Sequence, residues 1–284
     1  MSTRVPPLLR GLIDDAAVFP PGNAPLPHAV AAHRSHRNAW YADMIGPLLV
    51  PASSLRELPA LLDTDEHVVV GVIGDTGLAA LPDALAAVDP RIEVRQVEVA
   101  VAKRREDPAP GLEYLLGLLA GWPGVTGYAE VPLSIGLHEA LATIASAREG
   151  GASIAAKFRT GGLAAELFPT PIELAAVMCA CRDLGVPFKL TAGLHNAMRR
   201  ADPETGFVHH GFLGILAGVL AAANDGDVSE VASLLAATDP APVVAATRRA
   251  LDRDRPLWVG YGSCSIEEPL ADLAHLRLLH GAAA

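Results

Sequence analysis

Two of the three lysines in this 284-residue chain lie in short segments that resemble each other. Lys157 lies in Ala-Ala-Lys-Phe-Arg-Thr-Gly-Gly, and Lys189 lies in Pro-Phe-Lys-Leu-Thr-Ala-Gly-Leu-His. The other nineteen basic residues are arginines, so a lysine at these positions suggests that an amine is required. An amine can lose its proton and attack a carbonyl carbon, whereas a guanidinium stays protonated in a protein. The two lysines are therefore the first candidates for covalent chemistry.

Covalent chemistry of this kind requires one of the two amines to be neutral. A free lysine has a pKa of about 10.4 and is a poor nucleophile at neutral pH. A second ammonium nearby disfavours the charged form, so Lys189 could keep Lys157 partly neutral. A neutral Lys157 could form a Schiff base with an aldehyde or ketone. The adjacent carbon–carbon bond of the substrate is then formed or broken more easily than in the free carbonyl compound. Neighbouring carboxylates would act in the opposite direction, and the sequence leaves that balance open.

The elements that position these lysines follow from the pattern of apolar residues. Eight apolar, β-branched runs alternate with Ala- and Leu-rich helical stretches. The predicted strands are 10–14, 46–50, 67–73, 93–101, 126–131, 153–159, 187–192 and 257–262. The predicted helices are 26–36, 54–62, 77–88, 110–121, 135–148, 171–184, 210–223 and 267–279, with Ser54 and Thr170 placed as N-terminal caps.

This alternation predicts a parallel sheet with right-handed crossovers, and eight units predict a closed (β/α)₈ barrel of the TIM type. An open, doubly wound sheet is the alternative, but no Gly-x-Gly-x-x-Gly follows a strand. We expect one barrel domain over 1–284. We also expect a helical insertion at 196–255, after the seventh strand, that covers the barrel mouth or forms a subunit contact. This insertion contains the pair His209 and His210.

Alternation along the strands places four charged side chains inside the barrel. Successive side chains point to opposite faces of a strand, and the apolar neighbours of these four are expected to face the helices. Glu98, Glu130, Lys157 and Lys189 then face inward, each in the later part of its strand, where barrels of this type carry their active sites. A purely structural ion network is the alternative, although buried ion pairs are costly and perturbed charges in a cleft more often indicate function.

Five short segments resemble motifs of the deoxyribose-phosphate aldolases, which are class I aldolases with a (β/α)₈ barrel. They occur in barrel order at 12–16, 97–99, 157–162, 189–195 and 262–265. The resemblance implies that Lys157 is the Schiff-base lysine, Lys189 the neighbour that lowers its pKa, and Glu98 the acid that relays protons. The chain departs from the family at Arg159, Glu98 and His195, and 196–255 has no counterpart, so the substrate is not carried over.

Several polar residues and glycines near the predicted strand ends are candidates for substrate binding. Arg159 could bind a carboxylate or phosphate with two parallel hydrogen bonds. Gly262 and Ser263 follow the last strand and could form an anion-binding nest or an ordinary turn. Asp14 could pair with a barrel lysine or belong to a turn. The remaining candidates are Thr160, Gly161, Thr191 and His195. Cys264 is either a nucleophile or a small buried residue.

Three functions are compatible with these residues. The first is a lyase of the Schiff-base aldolase type that needs no cofactor and acts on a small carbonyl substrate bearing phosphate or carboxylate. The second is a metal-dependent barrel lyase or isomerase, in which Glu98, Glu130 and His195 would bind a divalent metal such as zinc or manganese. The third is a non-catalytic barrel that binds a small anion or serves as an assembly subunit.

Composition restricts the partners. The formal net charge is −10 and no basic stripe is present, which argues against nucleic acid. No apolar run approaches the roughly 18 residues that span a membrane, and the N-terminus lacks a signal-peptide pattern. The three cysteines show no metal-binding spacing, which favours a reduced, cytoplasmic setting. Ala- and Leu-rich helices are compatible with a homodimer.

Overall fold

The barrel closes through eight parallel strands. This computed structural model describes residues 5–279. The barrel strands are β1 (Ile13–Asp15), β2 (Ile45–Pro51), β3 (Val68–Ile73), β4 (Ile92–Ala100), β5 (Thr126–Glu130), β6 (Ile154–Arg159), β7 (Phe188–Thr191) and β10 (Trp258–Ser263), while β8 (Arg200–Ala201) and β9 (Val208–His209) form a separate hairpin. The order of the strands around the barrel is β1-β10-β7-β6-β5-β4-β3-β2. The predicted (β/α)₈ barrel is confirmed, and the alternative prediction of an open, doubly wound sheet is wrong.

Helices follow most barrel strands, as predicted. They are α1 (Leu26–Arg37), α2 (Leu81–Leu85), α3 (Ala109–Leu119), α4 (Leu137–Glu149), α5 (Pro171–Asp183) and α9 (Glu267–His275). The prediction for α5 is confirmed in detail. The Thr170 hydroxyl accepts a hydrogen bond from the backbone N–H of Glu173, and the Glu173 carboxylate accepts one from the backbone N–H of Thr170 at 2.7 Å. This reciprocal capping box satisfies two N–H groups that a helix start leaves free.

The helical predictions after β2 and β3 were wrong in type or length. The chain after β2 forms a 3₁₀-helix (Ala52–Leu61) that contains Pro59, and Ser54 makes no cap. Because proline has no backbone N–H and its ring clashes with the preceding turn, a regular α-helix is disfavoured there. After β3, a short 3₁₀ turn leads into the five-residue helix α2 instead of a helix over 77–88.

The segment between β7 and β10 contains a hairpin and three helices. The hairpin pairs β8 (Arg200–Ala201) with β9 (Val208–His209), and the helices are α6 (Phe212–Ala223), α7 (Val228–Ala236) and α8 (Pro240–Ala250). Helix α6 packs against α5, α7 and α8. The ring of Phe212 stacks on Tyr261 of β10 with centroids 5.8 Å apart, so α6 lies in the helical layer around the barrel.

The hairpin packs against the loop that follows β6. The ring of Phe168 in that loop lies 4.8 Å from Phe207 and 4.9 Å from His209, measured between centroids. The expectation that 196–255 covers the barrel mouth or forms a subunit contact stays a prediction; these contacts place α6 in the outer layer and the hairpin against the loop after β6.

The apolar core lies between the strands and the helices. Phe158 and Phe188 face this layer with ring centroids 6.1 Å apart, and both are fully buried. Their neighbours Lys157 and Lys189 are paired in register on β6 and β7 and face the opposite way, into the barrel. Within residues 5–279, no helix is both long enough and apolar enough to cross a lipid bilayer.

Candidate functional site

Six charged side chains of alternating sign form a continuous series inside the barrel, which we call the charge chain. Its order is Asp14, Lys189, Glu98, Lys157, Glu130 and Arg159. The Lys157 amine lies 2.9 Å from Glu98 and 3.1 Å from Glu130. The inward orientation predicted for both lysines and both glutamates is borne out by these contacts, since residues on four different strands meet.

Strand register brings these residues together. Lys157 is paired with Lys189 on one side and with Glu130 on the other. A glycine on β2, the strand next to β1, makes space for the Asp14 end of the charge chain. A Cβ atom placed on Gly46 would lie 1.9 Å from the Oδ1 atom of Asp14. The sequence offered no signal for the role of Gly46, because the requirement comes from a side chain on another strand.

Glu98 joins the two lysines. Its Oε1 atom contacts the Lys189 amine, and its Oε2 atom lies 2.9 Å from the Lys157 amine. Burial by itself would raise the pKa of the Glu98 carboxyl, but the two ammonium groups outweigh burial and lower the pKa to about 2. Glu98 is therefore an anion at neutral pH, although it is only 1% exposed.

Two uncharged residues, Gln96 and Tyr128, contact the buried end of the charge chain. The Gln96 amide donates to Oδ2 of Asp14 at 2.7 Å and to Oε1 of Glu98 at 2.8 Å, the two oxygens that also contact Lys189. The Lys189 amine lies 5.0 Å from the centre of the Tyr128 ring, within cation–π range. Nothing in the residue types of Gln96 and Tyr128 indicated these contacts.

Both lysines are stabilised in their charged form. Burial would lower the pKa of Lys157, but Glu98 and Glu130 outweigh burial and raise it. Asp14 and Glu98 raise the pKa of Lys189 in the same way. The expectation that Lys189 keeps Lys157 partly neutral is therefore wrong for this arrangement, because each lysine contacts two carboxylates. Any chemistry by the Lys157 amine must begin with proton transfer.

Arg159 forms the exposed end of the charge chain. Its Nε–H donates to Glu130 at 3.1 Å, and 43% of its side chain is exposed. Its two terminal amino groups have no hydrogen-bond partner among the residues that the structure describes. This geometry leaves the guanidinium edge available for an anion.

The other candidates from the loops after β6 and β7 have mainly internal contacts. The Thr160 side chain is fully buried, and its hydroxyl donates to the backbone oxygen of Ala192 at 2.6 Å. A Cβ atom on Gly161 would lie 3.1 Å from the Cα of Gly193, so the two loops approach closely. Thr191 is half-buried. These residues hold the loops in place beside the charge chain.

The loop after β10 also satisfies its own polar groups. The Ser263 hydroxyl donates to the backbone oxygen of Ser265 at 2.7 Å. The Ser265 hydroxyl accepts from the backbone N–H of Glu268 at 3.2 Å, in the first turn of α9. A Cβ atom on Gly262 would lie 3.1 Å from Leu49. These contacts fit an ordinary turn better than an anion-binding nest.

The ligands expected for a metal site do not converge. His195 contacts the carboxylate of Glu268, with 3.2 Å between Nδ1 and Oε2, whereas Glu98 and Glu130 contact lysines. Within residues 5–279, no group of three or more His, Cys, Asp or Glu side chains is arranged to hold a metal ion.

The histidine pair in the segment after β7 contacts backbone oxygens. The Nδ1 atom of His209 lies 3.1 Å from the oxygen of Gly193, and Nε2 of His210 lies 2.7 Å from the oxygen of Pro169. Burial lowers the pKa of His210 to about 4, so its ring is neutral at physiological pH. Both rings fasten this segment to the loops after β6 and β7.

The chain matches no protein-family model and no curated protein sequence. Its (β/α)₈ barrel is a fold that aldolases share with other lyases and with many unrelated enzymes. The function must therefore be argued from the charge chain.

Proposed function

We propose that this protein is a lyase that binds a small carbonyl substrate as a Schiff base on Lys157. The observation that carries the proposal is the pair of carboxylates on the Lys157 amine, at 2.9 Å and 3.1 Å. An ammonium has three N–H donors, and these contacts use two of them. The third takes part in no hydrogen bond or ion pair among the residues that the structure describes.

The same carboxylates that disfavour a neutral amine favour an iminium ion. In the first step, Lys157 passes a proton to Glu130, whose carboxylate lies 3.1 Å from the amine and, unlike Glu98, does not contact Lys189. Burial would raise the pKa of Glu130, but Lys157 and Arg159 lower it, so this transfer is uphill. The amine then adds to the carbonyl carbon, the carbonyl π pair moves to oxygen, and one proton moves from the nitrogen to that oxygen to form a hydroxyl group. Glu130 returns the proton to the hydroxyl group that leaves as water. The product is again a cation between two anions, so the site stabilises the charge that develops.

The iminium serves as an electron sink for cleavage or formation of the adjacent carbon–carbon bond. In this proposal Lys189 is not what sets the pKa of Lys157, because its lowering effect is outweighed by Glu98 and Glu130. Its contacts with Asp14 and Glu98 instead keep Glu98 ionised beside the reacting nitrogen. This role differs from the one that the aldolase resemblance implies.

The substrate carries an anionic group in this proposal. Arg159 lies two residues beyond Lys157 on β6, and its terminal amino groups could bind a carboxylate or a phosphate with two parallel hydrogen bonds. Glu130 fixes the guanidinium by its Nε–H, which orients the free edge.

Borohydride trapping tests the proposal directly. The protein is incubated with a panel of small aldehydes, ketones and oxo acids, reduced, digested and mapped by mass. The chain has only three lysines, so each peptide identifies one amine. We expect a reduced adduct on Lys157 and none on Lys103, which is exposed and serves as an internal control.

A Lys157→Met variant should lose the adduct, and a Lys103→Met variant should keep it. No adduct with any carbonyl compound, or equal labelling of Lys103, would contradict the proposal. If Lys157→Met then lowers only the stability, the charge chain is a structural ion network.

A further inference from the structure

A second cluster of reactive side chains lies at the carboxyl ends of β7 and β10. Cys264 directly follows β10, and His195 follows β7, the neighbouring strand. The Cys264 sulfur lies 3.7 Å from Nδ1 and 4.0 Å from Nε2 of His195. Nδ1 of His195 lies 3.2 Å from a carboxylate oxygen of Glu268. A thiol, an imidazole and an acid that contacts the imidazole are the parts of a base-activated nucleophile.

Backbone from a third loop also reaches the sulfur. The backbone N–H of Gly22 favours the anionic form of the Cys264 sulfur, although burial outweighs it and raises the pKa of the thiol. A Cβ atom on Gly22 would lie 2.9 Å from the Cβ of Cys264 and 2.9 Å from the backbone oxygen of Ala17. Because no side chain fits there, the glycine allows this close approach.

At neutral pH, His195 is in the protonation state that a general base for Cys264 requires. Burial raises the pKa of the Cys264 thiol, and burial lowers the pKa of His195 although Glu268 acts in the opposite direction. The other charged or titratable groups that act on the imidazole are His209 and Arg200. At neutral pH the site therefore holds a thiol beside a neutral imidazole. The Nδ1–H group donates to Glu268, so Nε2, 4.0 Å from the sulfur, is the atom that can accept the thiol proton.

We propose that Cys264 is a nucleophile that adds to the carbonyl carbon of a small aldehyde, with His195 as its general base and Glu268 as the residue that orients His195. The sulfur–carbon bond forms while the carbonyl π pair moves to oxygen. The thiol proton passes through His195 to that oxygen. The product is a hemithioacetal, which forms reversibly and requires no oxidant. This site does not depend on Schiff-base chemistry at Lys157.

The other two cysteines of the chain provide the comparison. Cys179 and Cys181 are buried in α5. Burial raises the pKa of both thiols. Neither thiol contacts a histidine among the residues that the structure describes. Cys264 is the one whose surroundings could activate it.

Iodoacetamide labelling, resolved by peptide mass, tests this proposal on the folded protein. We expect Cys264 to react well before Cys179 and Cys181. His195→Gln should slow the labelling of Cys264 about tenfold or more, since the base is lost. Glu268→Gln should slow it less, and the exposed His138→Gln on α4 should not change it. Circular dichroism establishes that each variant is folded.

Protection by glycolaldehyde tests the ligand class. Pre-incubation should slow labelling of Cys264, and it should do so equally in a Lys157→Met background, which removes any Schiff base. An unchanged rate in folded His195→Gln would overturn the role of His195. Absence of protection in both backgrounds would overturn aldehyde addition.

Discussion

At the scale of single residues, the buried charges of the charge chain are neutralised by direct contact with oppositely charged side chains. Each internal member contacts two partners of opposite charge. Glu98 is central because each of its oxygens contacts a different lysine. Removal of one such charge leaves its partners buried and uncompensated, which costs more than the pair itself contributes.

We expect Glu98→Gln to lower the free energy of unfolding by roughly 3–5 kcal/mol, because two buried ammonium groups lose a shared anion. Urea denaturation measures this difference. Glu93→Gln is the matched control, since Glu93 lies on the same strand but is exposed and, among residues 5–279, pairs only with Arg95. Its effect should stay within about 0.5 kcal/mol. Equal effects of the two substitutions would show that the charge chain adds no stability.

The lowered pKa of Glu98 also predicts how the free energy of unfolding depends on pH. The pKa of Glu98 in the folded protein is about 2, below its ordinary value of 4.5. The unfolded chain therefore binds more protons in this window, so the contribution of Glu98 is complete above pH 4.5 and is lost as the pH falls toward 2. Stability measured against pH should fall less steeply in Glu98→Gln than in the natural chain. Asp14 acts oppositely, because burial raises its pKa. Parallel curves would contradict the assignment.

At the scale of elements, β2 and β3 supply space rather than chemistry. Gly46 on β2 leaves room for the Asp14 carboxylate, and a Cβ atom on Gly71 of β3 would lie 2.8 Å from the Gln96 amide. Because β2 and β3 carry no side chain at Gly46 and Gly71, the barrel interior has room for the long polar side chains beside these positions.

Gly46→Ala should destabilise the protein by about 1–3 kcal/mol, because the new methyl group overlaps the Asp14 carboxylate. Gly117→Ala on α3 is the control of opposite sign. Nothing lies within 4 Å of its added Cβ atom, and alanine in a helix interior is favoured over glycine by roughly 0.5–1 kcal/mol. Thermal unfolding compares them, and a stable Gly46→Ala would show that Asp14 can move freely.

At the scale of the whole molecule, the barrel must close between its first and last strands. The Arg255 guanidinium, just before β10, donates to the backbone oxygens of Leu8 at 2.6 Å and Arg10 at 3.0 Å. It also donates to those of Trp258 and Val259 at 2.7 Å and 2.6 Å. One side chain thus ties the chain before β1 to β10. Burial lowers the pKa of Arg255 to about 10, so it remains charged at neutral pH.

We expect Arg255→Met to lower the free energy of unfolding by about 2–4 kcal/mol, because several carbonyl groups lose a charged donor. Arg253→Met is the control, since Arg253 is exposed in the same segment. Proteolysis under native conditions should also cut the first residues of the Arg255 variant sooner, if closure of the barrel depends on this contact. Unchanged stability and unchanged cleavage would show that strand pairing alone closes it.

The sequence by itself determined the barrel and the direction in which its charged residues point. Both depend on local patterns. Alternation along a strand decides which side chains face inward, so Glu98 and Lys157 could be placed before any contact was known. The Thr170 capping box is local as well. The 3₁₀-helix at Ala52–Leu61 shows the limit, because Pro59 disfavours an α-helix within an otherwise α-helical pattern of residues.

Only the tertiary structure decided what state the lysines are in. The pKa of a buried amine depends on atoms a few ångströms away, and Lys189 contacts Asp14, which is 175 residues distant in the chain. The same reason applies to Gln96, whose amide contacts residues on two strands, and to the meeting of Cys264 with His195 across two loops. Residue types and spacing identify which groups face one another. Closure of the barrel sets the distances that decide their charge and reactivity.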